Sequence, residues 1–233
     1  MSVLNILFVG SDEIARSIAK KSDSRDVDNY IYKDLKEGGL FSTISILRPN
    51  NYPDKPKPFF TSLTVSDFGI IEVNKVDGSF GEVIVSMASA GIKDGLVIIN
   101  PSEGEWVDDS QVKTLLQQAG LSNWDFIEND GILIREKLIE VLNQIKPNED
   151  DGFVVAVDQA FTVKGVGLVA IGHVQSGKVN KPEELILAGA EGNAIARSLQ
   201  VMDLDVDVAN VGDRVGLATV SYTHLTLPTK RIV

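Results

Sequence analysis

Residues 3–19 read VLNILFVGSDEIARSIA, and this stretch decides the fold of the N-terminal part of the chain. Its first seven residues, 3–9, are almost all apolar, which is typical of a β-strand buried on both faces. Residues 10–12 form a turn signal that can cap a helix, and apolar residues recur at helical spacing over 14–19. The stretch therefore predicts a strand, a tight turn and a helix.

The same alternation of strands and helices continues to about residue 147. Strands that alternate with helices imply a doubly wound, mostly parallel sheet with right-handed crossovers. The apolar patterns predict strands at 41–47, 69–73 and 95–99 and helices at 81–90, 108–119 and 132–145. Half of the prolines fall between 49 and 58, which predicts a loop there. We therefore predict an α/β domain over 1–147.

The pattern changes after a polar, turn-rich segment at 148–152, which we interpret as a linker. Gly and Pro separate the short segments that follow, and no long helical pattern lies between them. This pattern is typical of a small all-β barrel, which we place at 153–218. The predicted strands of the barrel lie at 153–157, 167–174, 184–188, 194–201 and 214–218.

The composition narrows the possible chemistry. The chain has 233 residues, a net charge of -11, no cysteine and two histidines, His173 and His224. The lack of cysteine excludes disulfides, thiolate metal sites and cysteine nucleophiles, and two imidazoles leave little room for a histidine metal site. An excess of acidic residues argues against broad nucleic-acid binding, although a local basic patch stays possible. We interpret His173, Trp106 and Trp124 as packing residues.

No apolar run approaches the roughly 18 to 20 residues that a membrane-spanning helix needs. The stretch at 3–9 is also too short for a secretion signal and has no basic residues before it. We therefore expect a cytoplasmic protein with neither a membrane nor a DNA partner.

The turn after the first strand has the spacing of a phosphate-binding loop without its residues. The pattern GxxxxGK[ST] falls on residues 10–17, GSDEIARS, in which Gly10 and Ser17 are kept. Ala15 replaces the second glycine and adds a Cβ where the backbone must approach phosphate. Arg16 replaces the lysine, and two carboxylates within the turn would repel phosphate. An ordinary strand-to-helix turn is the competing interpretation.

Two other elements of a GTPase depart from their patterns in the same way. A DxxG loop should follow the strand at 41–47, but residues 48–57 do not contain it. A guanine-reading NKxD should follow a later strand, and residues 100–103 read NPSE, so Asn100 alone matches. The nucleotide-binding candidates are therefore Gly10, Arg16, Ser17 and Asn100, in a degenerate site.

The barrel region carries a more specific signal. Residues 156–172 read AVDQAFTVKGVGLVAIG, residues 196–201 read ARSLQV and residues 211–218 read VGDRVGLA. Together these segments resemble the second domain of translational GTPases, with selenocysteine-specific elongation factors nearest and elongation factor Tu more distant. The residues that carry the motif are Asp158, Phe161, Gly165, Gly167, Gly172, Gly212, Asp213 and Arg214.

The physical roles of these barrel residues are consistent with the resemblance. Gly165 and Gly167 permit a turn, and Asp213 with Arg214 can brace the last hairpin. The match covers about 153–218, whereas the α/β half resembles these factors in layout only.

The resemblance implies a GTPase domain followed by barrels that hold the aminoacylated end of tRNA and dock on the ribosome. GTP hydrolysis does not carry over, because the phosphate lysine, the DxxG aspartate and glycine, and two guanine-reading residues are absent. We therefore predict an elongation-factor-like protein that acts through its barrel on tRNA, the ribosome or another translation component. We expect no catalytic residues, no metal site and no cofactor.

Two alternatives stay open. The first is a divergent elongation factor that binds and hydrolyses GTP with Mg²⁺, using Arg16, Ser17 and Asn100. The second is a regulator that binds a protein partner and takes neither nucleotide nor RNA.

The last fifteen residues, 219–233, depart from the barrel pattern. The segment VSYTHLTLPT within them resembles the translation of a transposase-type DNA sequencing adaptor. A natural C-terminal β-strand is the competing interpretation, since the Tyr and Thr content permits one. We expect the native sequence to depart from this one after residue 218 and a further domain to be missing.

Overall fold

The fold is described by a computed structural model that covers residues 2–24, 26–35, 41–104, 106–145, 152–188 and 193–221. The chain divides into two compact units, Met1–Lys146 and Pro147–Val233. Most of the predicted linker, residues 148–151, lies outside the described residues. None of the helices in the described ranges is both long and apolar enough to cross a membrane.

The first unit is built on one seven-stranded sheet. Its order is β2-β3-β4-β1-β5-β6-β7, antiparallel between β2 and β3 and between β3 and β4, and parallel elsewhere. The strands are β1 (Val3–Val9), β2 (Lys20–Ser24), β3 (Val27–Leu35), β4 (Phe41–Pro49), β5 (Phe68–Val73), β6 (Gly95–Ile99) and β7 (Asp125–Ile127). The helices are α1 (Asp12–Ile18), α2 (Pro56–Leu63), α3 (Gly78–Ser89), α4 (Asp109–Ala119) and α5 (Gly131–Gln144).

Helices cover both faces of this sheet, as the apolar run in β1 predicts. Alternate residues of β1 point to opposite faces, so Ile6 and Phe8 pack with α1 and α5 while Leu7 packs with α2, α3 and α4. The indole of Trp124 packs on the paired glycines Gly69 and Gly95, where an added Cβ would collide with the ring. The doubly wound, mostly parallel sheet is confirmed.

Two of the three residues that the sequence predicts to be packing residues are buried, and the third is exposed. His173 and Trp124 are 4% and 5% exposed, as predicted, and burial lowers the pKa of His173 to about 4. Trp106 is 81% exposed, so the packing role predicted for it is wrong.

The hairpin of β2 and β3 and two short elements of this unit were not predicted. Strand β2 is entirely polar and lies at the edge of the sheet, and β3, which pairs with it, mixes polar and apolar residues. Helix α2 begins inside the proline-rich segment, which is possible because Pro56 occupies the first helical turn and needs no N–H partner there. The fourth element is β7, which is three residues long.

Helix α1 is also shorter than its apolar stripe predicts. It ends at Ile18, and Ala19 is already extended, with φ -145° and ψ 161°. Arg135 of α5 donates from Nε to the Ile18 carbonyl at 2.7 Å and from Nη2 to the Ser17 carbonyl at 2.8 Å. A tertiary contact therefore satisfies the carbonyls at the end of α1.

The second unit is all β and antiparallel. Its strands are β8 (Val154–Val163), β9 (Gly167–Ser176), β10 (Lys178–Asn180), β11 (Glu183–Ile186), β12 (Asn193–Val201), β13 (Leu204–Val206), β14 (Val208–Asn210) and β15 (Arg214–Ser221). One sheet has the order β11-β12-β15-β9-β8, with β13 also paired to β12, and β10 pairs with β14. Val179 of β10 and Ala209 of β14 share one buried core with Leu199 and Val215 of the larger sheet. The predicted barrel class is confirmed.

The C-terminal segment that resembles an adaptor begins inside β15. Residues 219–221 continue the ladder of β15 against β12, and the Thr219 hydroxyl donates to the Leu168 carbonyl at 3.1 Å. Residues 222–233 lie outside the described residues.

A β-bulge in β8 shapes the barrel sheet. Val157 pairs with Gly172 and Gln159 with Ile171, so Asp158 is the extra residue between two successive pairs. A Cβ on Gly172 would collide with the Ala156 carbonyl oxygen and would lie 2.9 Å from the Val157 Cα. The bulge therefore requires glycine at position 172.

We predict that Gly172→Ala destabilises the barrel by about 1–3 kcal/mol, because the new methyl group can only fit if the backbone of β8 moves. Gly216→Ala is the matched control: it lies in the neighbouring strand β15, and its Cβ would meet Gln200 at ordinary distances of 3.8 and 3.9 Å. Hydrogen exchange of peptides from β9 and β15 measures the effect. Equal protection in both variants would contradict the prediction.

Candidate functional site

The carboxyl ends of β1, β4, β5 and β6 meet at one edge of the first sheet. Open α/β sheets bind ligands at this edge, where the strand order reverses about the first strand. Gly10 and Ser11 follow β1, Asn74 follows β5 and Asn100 follows β6. The structure therefore brings two of the four predicted nucleotide-binding residues, Gly10 and Asn100, to this edge.

The other two predicted residues, Arg16 and Ser17, lie in the last turn of α1. Only Gly10 and Ser11 separate β1 from α1, because Ser11 is the N-cap and its hydroxyl accepts from the Ile14 amide at 3.4 Å. The Ser17 hydroxyl donates to the Ile14 carbonyl at 2.7 Å, within the helix. In a phosphate loop the corresponding lysine and serine begin the helix, whereas here they end it.

Glu72 is the central residue of the edge. Its Oε2 accepts a hydrogen bond of 2.5 Å from the Ser11 amide, and its Oε1 accepts from Asn100 Nδ2 at 2.6 Å and Asn74 Nδ2 at 3.2 Å. The residue is 8% exposed. A buried carboxylate therefore receives donors from three separate loops, including the Ser11 amide in the turn after β1.

Gly10 makes this arrangement possible. A Cβ at position 10 would lie 2.8 Å from the Glu72 Cβ and 2.7 Å from the Phe8 ring. Glycine at this position therefore lets the Glu72 side chain approach the turn, which is a different role from the phosphate contact predicted from the sequence.

Arg48 holds the same turn from the other side. Its Nε donates to the Gly10 carbonyl at 2.7 Å, and its Nη1 donates to Asp28 Oδ2 at 3.1 Å and to Asn50 Oδ1 at 2.9 Å. The turn thus has its amide bound to a carboxylate and its carbonyl bound to a guanidinium.

The first residue of α1, Asp12, is neutralised within the unit. It accepts from the Tyr30 hydroxyl at 2.5 Å, from Arg16 and from Lys21 at 3.2 Å. The hydrogen bonds from Tyr30 and then Arg16 hold the pKa of Asp12 well below its usual range. Lys21 also pairs with Asp28 at 2.8 Å, and this contact raises the pKa of Lys21. Arg16 is therefore committed to a structural ion pair.

A cavity of about 300 Å³ adjoins Glu72, between the loop after β4 and helix α3. Arg48, Glu72 and Asn74 line it on the sheet side, and Asp77 and Phe80 line it on the helix side. The Asp77 carboxylate caps α3 by accepting from the Phe80 amide at 3.0 Å and pairs with Lys75 at 3.0 Å. The cavity is a polar recess whose described charges already have partners within the chain.

Glu72 is not among the site residues that the sequence predicts. A signal existed, because β5 reads FGIIEV and an acidic residue in a central, otherwise apolar strand requires hydrogen-bond donors. The positions of those donors depend on the pairing of β5 with β1 and β6, which the sequence alone does not specify.

The predicted barrel residues build turns and the bulge. Gly165 and Gly167 have φ values of 85° and 108° at the hairpin between β8 and β9, and Gly212 has a φ of 86° before β15. The carboxylate of the bulge residue Asp158 accepts from Arg214 Nη1 at 3.0 Å and so connects β8 to β15 across β9.

The two remaining motif residues differ in exposure. Asp213 is buried and its Oδ2 accepts from the Asn210 amide at 2.8 Å, while burial raises its pKa. Phe161 is 43% exposed on β8, at the edge of its sheet.

Comparison with known proteins gives relatives for the chain as a whole. No protein-family model matches it. Over 218 residues it is 30% identical to the uncharacterized protein MJ0325 of Methanocaldococcus jannaschii, which covers 93% of this chain and 67% of that protein. Over 115 residues it is 32% identical to the selenocysteine-specific elongation factor of Escherichia coli, covering 47% of this chain and 19% of that factor.

Solved structures show the same fold at low sequence identity. Translation elongation factor SelB from Methanococcus maripaludis, in complex with the GTP analogue GppNHp, matches with a TM-score of 0.72 and 20% identity. A bacterial selenocysteine-specific elongation factor, EF-Sec, matches with a TM-score of 0.74 and 17% identity. Each match covers 94% of this chain, which spans 52% and 42% of those factors.

These matches confirm the resemblance to translational GTPases that the barrel residues predict. The chain therefore belongs to the same family as protein MJ0325 of M. jannaschii, and it has the translational GTPase-like fold of an α/β domain followed by a β-barrel.

Proposed function

We propose that this chain is a translation elongation-factor-like protein that works in the cytoplasm without hydrolysing GTP. Its barrel would act on tRNA, the ribosome or another translation component. Similarity to SelB and EF-Sec supports the kind of function. The main support for the proposed loss of GTP hydrolysis is the hydrogen bond from the Ser11 amide to Glu72.

The hydrogen bond that the Ser11 amide already makes supports the loss of a phosphate site at the turn after β1. A phosphate loop surrounds its ligand with backbone amides, whereas this turn has two residues and the Ser11 amide is bound to a carboxylate. Two unit charges of the same sign about 4 Å apart repel by about 4 kcal/mol in a surface-like dielectric. A phosphate at this turn would therefore meet the charge of Glu72 and lose the amide that should bind it.

The residues that could bind Mg²⁺ or recognise guanine also make hydrogen bonds within the chain. The Ser17 hydroxyl is bound within α1, at the end of the helix away from the turn. The Asn100 side chain donates to Glu72. Of the two polar groups that the alternative of a divergent GTPase requires, one is therefore bound within α1 and the other at the edge of the sheet.

The barrel presents a surface suited to a partner. Strand β8 lies at the edge of its sheet, and Val154, Val157 and Phe161 on it are 52%, 52% and 43% exposed. Only one described strand pairs with β8, so the other edge of β8 leaves main-chain donors and acceptors that a partner chain can bind. This edge supports the part of the proposal that assigns binding to the barrel.

Filter binding of the full chain to unfractionated tRNA, with and without Mg·GTP or Mg·GDP, tests the proposed function. We expect tRNA binding with the same dissociation constant in all three conditions, because no nucleotide occupies the turn. Binding that requires Mg·GTP would favour the divergent elongation factor instead. Failure to bind tRNA or ribosomes in any condition would favour a regulator with a protein partner.

We predict that Glu72→Ala lowers the free energy of unfolding of the α/β unit by about 1–3 kcal/mol, because it leaves the Ser11 amide and two Asn side chains without their acceptor. The measurement is urea unfolding followed by tryptophan fluorescence, since both tryptophans, Trp106 and Trp124, lie in this unit.

Glu103→Ala is the matched control for this change. Glu103 is an exposed glutamate shortly after β6, near the same edge of the sheet. We expect it to change the unfolding free energy by less than about 0.5 kcal/mol. Equal stability of the two variants would show that the Glu72 hydrogen bonds contribute little.

A further inference from the structure

An open groove of about 490 Å³ lies on the α/β unit, between the end of α1, the strands β2 and β3, and α5. Its charged lining consists of cations alone: Arg16, Lys20, Lys21, Lys33 and Arg135. We call these five residues and Tyr32 the basic groove. The chain as a whole has a net charge of -11, so this concentration of positive charge departs from its average.

The fold assembles the groove from residues that are distant in sequence. Because α1 ends at Ile18, the chain turns directly into β2, which places Lys20 and Lys21 beside β3. Arg135 reaches the same place from α5 and lies over the Tyr32 ring at 5.0 Å. The short helix therefore creates the groove.

The cations differ in how far the protein itself neutralises them. Arg16 and Lys21 pair with Asp12, and Lys21 also pairs with Asp28. Arg135 donates to two main-chain carbonyls, which carry no full charge.

Lys20 and Lys33 are exposed and form no ion pair with any of the described residues. Together with Arg135, they give the groove a positive charge that no described carboxylate pairs with.

We propose that the basic groove binds the phosphate backbone of RNA and forms a second RNA contact, separate from the barrel. This inference rests on the proposed function, in which the partner is tRNA or the ribosome. Lysines and guanidinium groups neutralise phosphates, and planar guanidinium groups match phosphate geometry. The negative charge of the rest of the chain would direct a polyanion towards the one cationic region that we describe.

The aromatic ring favours RNA over an acidic peptide. The Arg135 guanidinium lies over the Tyr32 ring at 5.0 Å from its centroid, and guanidinium and aromatic groups are the ones on which nucleic-acid bases stack. A carboxylate-rich peptide would use the lysines but would gain little from this surface. RNA uses both features of the groove.

The test is the binding of unfractionated tRNA to the full chain over a series of salt concentrations. Lys20→Ala combined with Lys33→Ala removes two exposed cations that have no structural partner among the described residues. Lys93→Ala combined with Lys113→Ala makes the same change of charge on exposed lysines near α3 and α4, which cover the opposite face of the sheet. Tryptophan fluorescence confirms that each variant is folded.

We expect the groove variant to bind tRNA more weakly and to reduce the slope of log K against log salt by about 1.4 to 2, while the control variant keeps the wild-type slope. Wild-type affinity and slope in the groove variant would overturn the inference. Competition by poly-glutamate as strong as that by tRNA would also overturn it, in favour of an acidic protein partner.

Crosslinking of 4-thiouridine-labelled tRNA, mapped by mass spectrometry, separates this inference from the proposed function. Crosslinks in residues 16–33 and also in the barrel support the RNA contact at the basic groove and the proposed function of the barrel. Crosslinks in the barrel alone overturn the groove and leave the proposed function standing. Crosslinks in residues 16–33 alone support the groove and overturn the assignment to the barrel, and their absence from the whole chain overturns both.

Discussion

The buried carboxylate of Glu72 organises the edge of the sheet where a nucleotide would lie. A buried charge is costly unless donors surround it, and this one receives N–H groups from Ser11, Asn74 and Asn100. Each donor comes from a loop after a different strand. The glycine at position 10 is required because any Cβ there would meet the Glu72 side chain. One carboxylate therefore connects three loops.

The elements around Glu72 are also consistent with the absence of a nucleotide site. The turn after β1 is only two residues long, so α1 begins early; it ends at Ile18, and Arg16 and Ser17 lie in its last turn. The early end of α1 brings β2 to the edge of the sheet and its lysines into the basic groove. The start of α1 therefore removes the phosphate site, and its end at Ile18, where Arg135 binds the carbonyls, opens the cationic surface.

Much of the fold could be predicted from the sequence, because the buried elements have strong apolar patterns. The strand at 95–99 and the helices α3 to α5 agree with their predicted positions to within a few residues. Strand β2 was missed because its polar residues fit a loop as well as an edge strand, and β3 was missed because polar residues interrupt its apolar ones. The end of α1 depends on Arg135, which is 117 residues away from Ile18 along the chain.

The site was predicted less well for a related reason. The spacing of residues 10–17 matches a phosphate loop, but spacing does not determine whether those residues form a loop or a helix. The Ser11 cap decides this point in favour of a helix. Glu72 could have been noticed as an acid in an apolar strand, whereas its partners depend on the order of the strands.

The ¹H–¹⁵N resonance of the Ser11 amide tests the central claim most directly. If Glu72 holds this amide, its proton is protected from exchange, and millimolar Mg·GTP neither shifts the resonance nor changes its exchange rate. Glu72→Gln should move the resonance, since it replaces a charged acceptor with a neutral amide. A Ser11 amide that exchanges freely, or that shifts on addition of Mg·GTP with saturation, would contradict the account.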